Sequence, residues 1–237
     1  MPVRRSLLAG PVLDVAPKVL GMVLRSATDE GTVAVRITEV EAYDGPSDPG
    51  SHAYRGQTAR NAVMFGPAGF LYVYFTYGMH FCMNISAGPD GQPSAVLLRA
   101  GEIVEGLDLA RTRRLPRTPP GKFNQSGGQP ANPRSGRSAG VMAGPVAKRA
   151  NGNPDRDLAR GPARMCVALG IGRDHNGADL LSKTSDVQLL PGRGFDGEPS
   201  TGPRVGLREA ADRPWRFWIP GDPTVSPYRP HVPKRRS

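Results

Sequence analysis

The sequence predicts a single mixed α+β domain, and three observations carry that reading. Apolar residues alternate with period two in Val33–Glu41, Tyr72–Ser86 and Ser94–Ala100, the spacing of half-buried strands. Helix-like spacing of three and four recurs in Asp14–Ser26, in Glu102–Arg114 and after Gly161-Pro162. A chain of 237 residues is long enough for one sizeable core, and no internal repeat divides it.

In chain order, Asp14 is placed to cap the first helix and Pro17 falls in its first turn. Val19, Leu20, Val23 and Leu24 form its apolar stripe. Asp29-Glu30-Gly31 then turns the chain. Val33, Val35 and Ile37 share one face of the next strand. If the alternation runs on without a bulge, Glu39 and Glu41 follow onto that inward face, where a carboxylate is costly unless paired or at work. If the strand ends or bulges first, Glu41 is left in solvent. Ala42–Phe65 is a polar loop carrying His52, Tyr54, Arg55, Arg60 and Asn61, and a loop that long in a compact domain is functional or disordered. On residue type alone, His52 reads as an ordinary surface or packing residue.

Tyr72–Ser86 reads as a hairpin turning near Thr76-Tyr77-Gly78-Met79, with Gly78 supplying the permissive backbone. Tyr72 and Tyr74 face one side of the first arm, Val73 and Phe75 the other. Tyr77 at the tip is either packed under another element or presented outward as a wedge. Five of the six tyrosines lie between Tyr43 and Tyr77, as in a surface built to stack on something flat. Ser94–Ala100 is a further strand closing on Arg99, and Glu102–Arg114 a helix.

Residues 115–160 are rich in Pro, Gly, Ser, Asn and Arg with almost no large hydrophobics, so this insertion is expected to be mobile. Order returns at Gly161-Pro162. Pro162 suits the first helical position, Met165, Cys166 and Leu169 the buried face, and Gly170 the stop. Asp186–Leu190, Arg204–Leu207 and Trp215–Ile219 read as closing strands. The tail from Pro227 is expected to fray.

The net charge is +10, and only five of the 31 basic residues are lysines. An excess of that size suits an anionic partner such as nucleic acid or a membrane surface. Cys82 and Cys166 lack metal or disulfide spacing and read as buried small hydrophobes. No apolar run approaches the roughly 18 residues of a membrane helix, and the start is a poor signal peptide, so a soluble, cytoplasmic protein is expected. The sequence holds no phosphate loop, dinucleotide fingerprint, His-Glu-x-x-His, Cys-x-x-Cys or Gly-x-Ser-x-Gly motif. A strand-end carboxylate, a strand-end arginine, an aromatic cluster and a basic surface remain, which are parts suited to hydrolysis at a nucleotide.

Several blocks carry a resemblance. They are Glu39-Val40-Glu41-Ala42-Tyr43, His52, Thr58-Ala59-Arg60-Asn61, Leu71 through Asn84, Val96-Leu97-Leu98-Arg99-Ala100, Gly161-Pro162 with Ala168-Leu169-Gly170-Ile171, and Gly202 through Gly206. In order and spacing they resemble the alkyladenine (3-methyladenine) DNA glycosylase family of the animal-type fold, which is unrelated to the helix-hairpin-helix glycosylases. The resemblance covers most of the chain outside the insertion and the termini.

The resemblance implies a curved antiparallel β-sheet with a protruding β-hairpin and flanking helices. It implies duplex DNA with damaged purines as partner, a monomer, and neither metal nor cofactor. Tyr77 would intercalate, and the flipped base would stack between Tyr43 and Tyr74 with His52 beside it. Asn84 would exclude guanine by clash with its exocyclic amino group. Glu41 would be the general base on a water held with help from Arg99 and the Val205 carbonyl. Tyr72, Arg55, Thr58, Arg60 and Met64 would be DNA-binding positions. None of the lysines, Lys18, Lys122, Lys148, Lys183 and Lys234, lies in these blocks, so the expected product is an abasic site without strand cleavage.

The chain departs from the family pattern at Ala59, where Pro is common, at His80, where Tyr is common in animal members, and in the length of the insertion. Two other functions remain open on the sequence. A non-catalytic nucleic-acid-binding module would not need Glu41, and a nucleoside hydrolase would not need Tyr77.

Overall fold

The computed structural model describes residues 2–76, 78–115 and 153–232. Tyr77, the stretch 116–152 of the expected insertion and the last residues of the tail lie outside the described residues. Two short helices, α1 (Arg5–Leu8) and α2 (Val12–Val19), lead into strands β1 (Val23–Thr28) and β2 (Gly31–Tyr43). Strands β3 (Leu71–Thr76), β4 (His80–Ala87) and β5 (Ser94–Glu105) follow, then α3 (Leu107–Arg114) and α4 (Pro162–Leu169). Strands β6 (Val187–Leu190), β7 (Ser200–Gly202) and β8 (Arg216–Trp218) close the chain. All strand pairs are antiparallel, in the order β3-β4-β5-β2-β1-β6, and β8 joins β2 with β7 outside it. The expected α+β fold with a curved antiparallel sheet is what forms.

The sheet turns on β2. Its first half pairs with β1 and its second half with β8, while β5 runs along its other edge. The register against β5 slips between Ile37 and Glu39, and again between Glu39 and Val40. A bulge of this kind bends a strand and re-aims its side chains. Val33, Val35 and Ile37 lie in the core before it, and Val40 and Ala42 after it. The parity of the core face therefore changes at Thr38, and Glu39, Glu41 and Tyr43 pass to the opposite face. Neither expectation for Glu41 holds: the strand does bulge, yet Glu39 and Glu41 are both completely buried, on the other side of the sheet from Val35. Gly101 faces this bend, and a Cβ there would lie 2.3 Å from Val35 and 2.4 Å from the Arg36 carbonyl oxygen.

Helices α2 and α4 cover the core face of β2, β4 and β5. In α4, Pro162 starts the helix and Gly170 ends it at φ +70°, as the sequence predicts. Its Met165, Cys166 and Leu169 are buried, and each of the two larger side chains is worth roughly 1.5–3 kcal/mol in removal of apolar surface from water.

Four boundaries differ from expectation. The helix placed over Asp14–Ser26 ends at Val19, and Val23–Thr28 is strand β1. Gly21, at φ +77°, breaks the helix, and pairing on both edges with β2 and β6 overrides local spacing. Asp14 lies in the first turn rather than at the cap, and Pro17 sits in the helix interior. Residues 102–105 extend β5, because Ile103 and Glu105 pair with Val35 and Ala34; α3 begins only after Gly106. Arg204–Leu207 is a turn, and Ser200–Gly202 provides the outer strand instead.

Residues 153–160, placed at the end of the insertion, are anchored: Ala159 is buried and accepts from the Gly101 amide. The tail is tied as far as Arg229, whose carbonyl accepts from the Gly206 amide at 3.1 Å. Among the described residues, no helix is long and apolar enough to cross a membrane.

Candidate active site

The face of the sheet opposite the helices carries a cavity of about 360 Å³. Strand β2 sends Glu41 and Tyr43 into it, β3 sends Tyr72 and Tyr74, β4 sends Cys82 and Asn84, and β5 sends Leu97 and Arg99. This follows from period-two alternation in register: Tyr72 pairs with Asn84, Asn84 with Leu97, and Leu97 with Glu41. The loop after β2 adds His52 and Met64, and the turn after β7 adds Val205. Arg99 is the extra residue of β5 opposite the Glu39–Val40 step, so the bulged geometry that turns Glu41 around also aims its partner.

Glu41 is held from three sides. The Val205 amide donates to its Oε1 at 2.7 Å and the Tyr43 hydroxyl to its Oε2 at 2.8 Å. Arg99 Nη1 lies 3.3 Å from Oε1. Behind it, Arg99 Nε donates to Glu39 Oε1 at 2.9 Å, and Arg216 Nε donates to the same oxygen at 2.6 Å. Ser226 completes the shell, with its amide 2.6 Å from Glu39 Oε2. Two carboxylates and two guanidiniums thus balance in a buried network. A carboxylate offers about four lone-pair sites, so Glu41 keeps acceptor capacity toward the cavity.

The sequence matches the description "Methylpurine-DNA glycosylase (MPG)" over residues 6–223. The chain belongs to the methylpurine-DNA glycosylase family. A relative from Streptomyces avermitilis is 50% identical over 99% of this chain and 95% of its own length. Another from Leifsonia xyli subsp. xyli is 50% identical over 92% of this chain and 89% of its own, and one from Nocardia farcinica is 45% identical over 90% and 85%. All three carry the name "Putative 3-methyladenine DNA glycosylase".

The electrostatics of this glycosylase's cavity favour neutral walls around the Glu41–Arg99 pair. Burial pushes the Tyr43 phenol well above its ordinary pKa, and the Glu41 charge adds to this, so Tyr43 remains a donor. Burial does the same to Tyr74, with Cys82 next to it contributing. Burial raises the Cys82 thiol too, which keeps it from acting as a nucleophile. Burial alone would lower the pKa of Arg99, but Glu41 and Glu39 outweigh it and hold the guanidinium charged. His52 meets Tyr74 edge-on with ring centres 4.6 Å apart, and its Nδ1 lies 3.0 Å from the Tyr72 hydroxyl. Burial lowers its pKa to about 4, with the Arg60 charge adding, so the imidazole is neutral at pH 7.

The cavity therefore brings together Glu41, Arg99, Val205, Tyr43, His52, Tyr74 and Asn84. The positions named for DNA contact divide. Met64 and Tyr72 are buried in the cavity wall. Arg55, Thr58 and Arg60 are exposed on the loop outside it, and Arg60 lies 5.5 Å over the Tyr74 ring.

Sequence reasoning missed the support behind Tyr43. Arg204 is fully buried, stacks 4.6 Å over the Tyr43 ring, and pairs through both terminal nitrogens with buried Asp48. Asp48 and Arg204 are 156 positions apart, and no local pattern joins them. Among the described residues, no three His, Cys, Asp or Glu side chains gather as a metal cage.

Proposed function

We propose that this glycosylase excises alkylated or deaminated purines from duplex DNA by hydrolysis, with 3-methyladenine, 7-methylguanine and hypoxanthine as its substrate class. The observation that carries the reading is Glu41, a fully buried carboxylate fixed on both oxygens at the floor of an aromatic cavity. A damaged base extruded from the duplex stacks between Tyr43 and Tyr74, a contact worth roughly 1–3 kcal/mol per base. A cationic purine gains further over the tyrosine faces. Water adds to C1′ of the deoxyribose, Glu41 takes its proton, and the base leaves with the glycosidic electron pair. The leaving base in 3-methyladenine or 7-methylguanine is already cationic and departs neutral. Asn84, buried and donating to the Tyr72 carbonyl at 3.3 Å, rejects guanine by clash with its exocyclic amino group. The hairpin of β3 and β4 carries Tyr77 as the wedge that fills the vacated space. The names of the relatives mention 3-methyladenine, one member of this class.

The test is single-turnover base release from duplexes carrying one hypoxanthine, and from alkylated DNA, with wild type and Glu41→Gln side by side. Release by wild type and a loss of roughly 10²-fold or more in the variant is the expected result. Tight lesion binding with no release by either protein would instead identify a non-catalytic binding module. Turnover of free nucleosides that survives Tyr77→Ser would identify a nucleoside hydrolase.

A further inference from the structure

A second lobe, about 490 Å³ in volume, adjoins the base cavity and shares Arg99 and Val205 with it. Its walls are cationic where those of the first are aromatic: Arg160, Arg164, Arg229 and His80 line it, with Asp157 as the one carboxylate among the described residues. That carboxylate is taken, because Arg160 Nη1 lies 3.2 Å from it. Arg99 is matched by Glu39 and Glu41. The guanidinium groups of Arg164 and Arg229 have no hydrogen bond or ion pair among the described residues. Burial lowers the pKa of Arg114 and Arg164 adds to this while Asp157 opposes it, so Arg164 sits close enough to a second guanidinium to repel it.

The wall bearing Arg229 is not a loose end. The Ser226 amide and hydroxyl donate to Glu39, and the Gly206 amide holds the Arg229 carbonyl. The segment 226–229 is therefore fastened to the same carboxylate network that fixes Glu41, which places Arg229 relative to the reacting centre.

We propose that this lobe seats a phosphodiester flanking the extruded nucleotide, with Arg164 and Arg229 as its partners and the C-terminal segment as one wall. The inference rests on the reading that a flipped base fills the aromatic lobe. With the base there and C1′ beside Glu41, the backbone leaves through the junction at Arg99 and Val205 into the cationic lobe. A DNA phosphate supplies negative charge to the two guanidiniums that lack it among the described residues, and charge-assisted bonds from guanidinium to phosphate suit such a pair.

The experiment measures binding of a hypoxanthine duplex as a function of salt for wild type, Arg164→Ala, Arg229→Ala and the double variant, with Lys18→Ala on α2 as control. The double variant is expected to reduce the slope of log K against log salt by about 0.9, the value of one phosphate contact, and each single variant by less. The control keeps the wild-type slope. A second arm replaces the phosphates flanking the lesion, one at a time, with neutral methylphosphonates. One replacement should weaken wild type about tenfold and the double variant less than about threefold, as expected when both changes remove the same contact. An unchanged slope in a folded double variant, or full additivity of phosphonate and protein changes, overturns the proposal. Base release by wild type in the same samples judges the underlying reading separately. Absence of release counts against that reading, whereas release with an unaltered slope counts against this lobe alone.

Discussion

Glu39 and Glu41 share one guanidinium: Arg99 donates through Nε to Glu39 at 2.9 Å and presents Nη1 to Glu41 at 3.3 Å. The two carboxylates are both completely buried, and Arg216 supplies the second positive charge through Glu39 alone. Removing the charge of Glu39 would leave two buried guanidiniums facing one carboxylate. Glu39→Gln is expected to cost about 3–5 kcal/mol of stability, as breaking a buried ion pair does. Arg99 would also swing toward Glu41, so the single-turnover rate of the folded fraction should fall. Glu39→Asp keeps the charge and should recover part of both. Urea unfolding and single-turnover base release read the two effects separately. A folded Glu39→Gln protein as stable and as fast as wild type would sink this account.

Arg204 supports the cavity from behind. Its guanidinium stacks on Tyr43 and on Trp215, with both terminal nitrogens bonded to Asp48. Arg204→Met strands a buried carboxylate and should cost about 3–5 kcal/mol. Adding Asp48→Leu removes the stranded charge, so the double variant should unfold at higher urea than Arg204→Met alone. Equal midpoints for the single and double variants would show that the pair is not what Arg204 contributes. Tyr43 loses its support in both variants, so lesion affinity should drop in each.

His52 carries a pH signature. Its pKa in the fold, about 4, lies below the roughly 6.5 of an unfolded histidine. Between those values the unfolded chain binds the extra proton, so this group's contribution to stability is present above about pH 6.5 and is lost as pH falls through about 4. His52 is exposed as a residue, so the direction carries the prediction. NMR titration should show His52 still neutral at pH 5.5, and Arg60→Ala should raise its pKa. A His52 that titrates near pH 6.5 in wild type contradicts this.

Much of the fold was legible because its strands alternate cleanly and its last helix has both Pro162 and Gly170 as punctuation. The hairpin face of Tyr72 and Tyr74 follows directly from period two. The misplaced boundaries share one cause. Val23–Thr28 and Glu102–Glu105 have spacings compatible with a helix, and only their pairing partners make them strands. The bulge at Thr38 has no local marker, so the side of the sheet taken by Glu41 could not be read from alternation. The blocks resembling a family pointed to the residues that do line the cavity. Arg216, Ser226, Asp48 and Arg204 stayed hidden because their bonds join positions more than a hundred residues apart, apart from the close pair Arg216 and Ser226.

Asn84 offers the sharpest test of specificity. Its side chain is buried between Tyr72 and Leu97 in register, and its amide donates to the Tyr72 carbonyl. Rejection by clash predicts that shrinking this side chain admits what it excluded. Asn84→Ala should release guanine from undamaged duplexes at a measurably higher rate, while hypoxanthine release changes far less. The lost hydrogen bond leaves a buried carbonyl short of one donor, worth about 1–3 kcal/mol, so stability should fall modestly in the same variant. If Asn84 instead attracts the lesion, the variant should lose hypoxanthine release and gain no guanine release. Single-turnover rates on the two duplexes, taken at protein concentrations that saturate both, separate rejection from attraction.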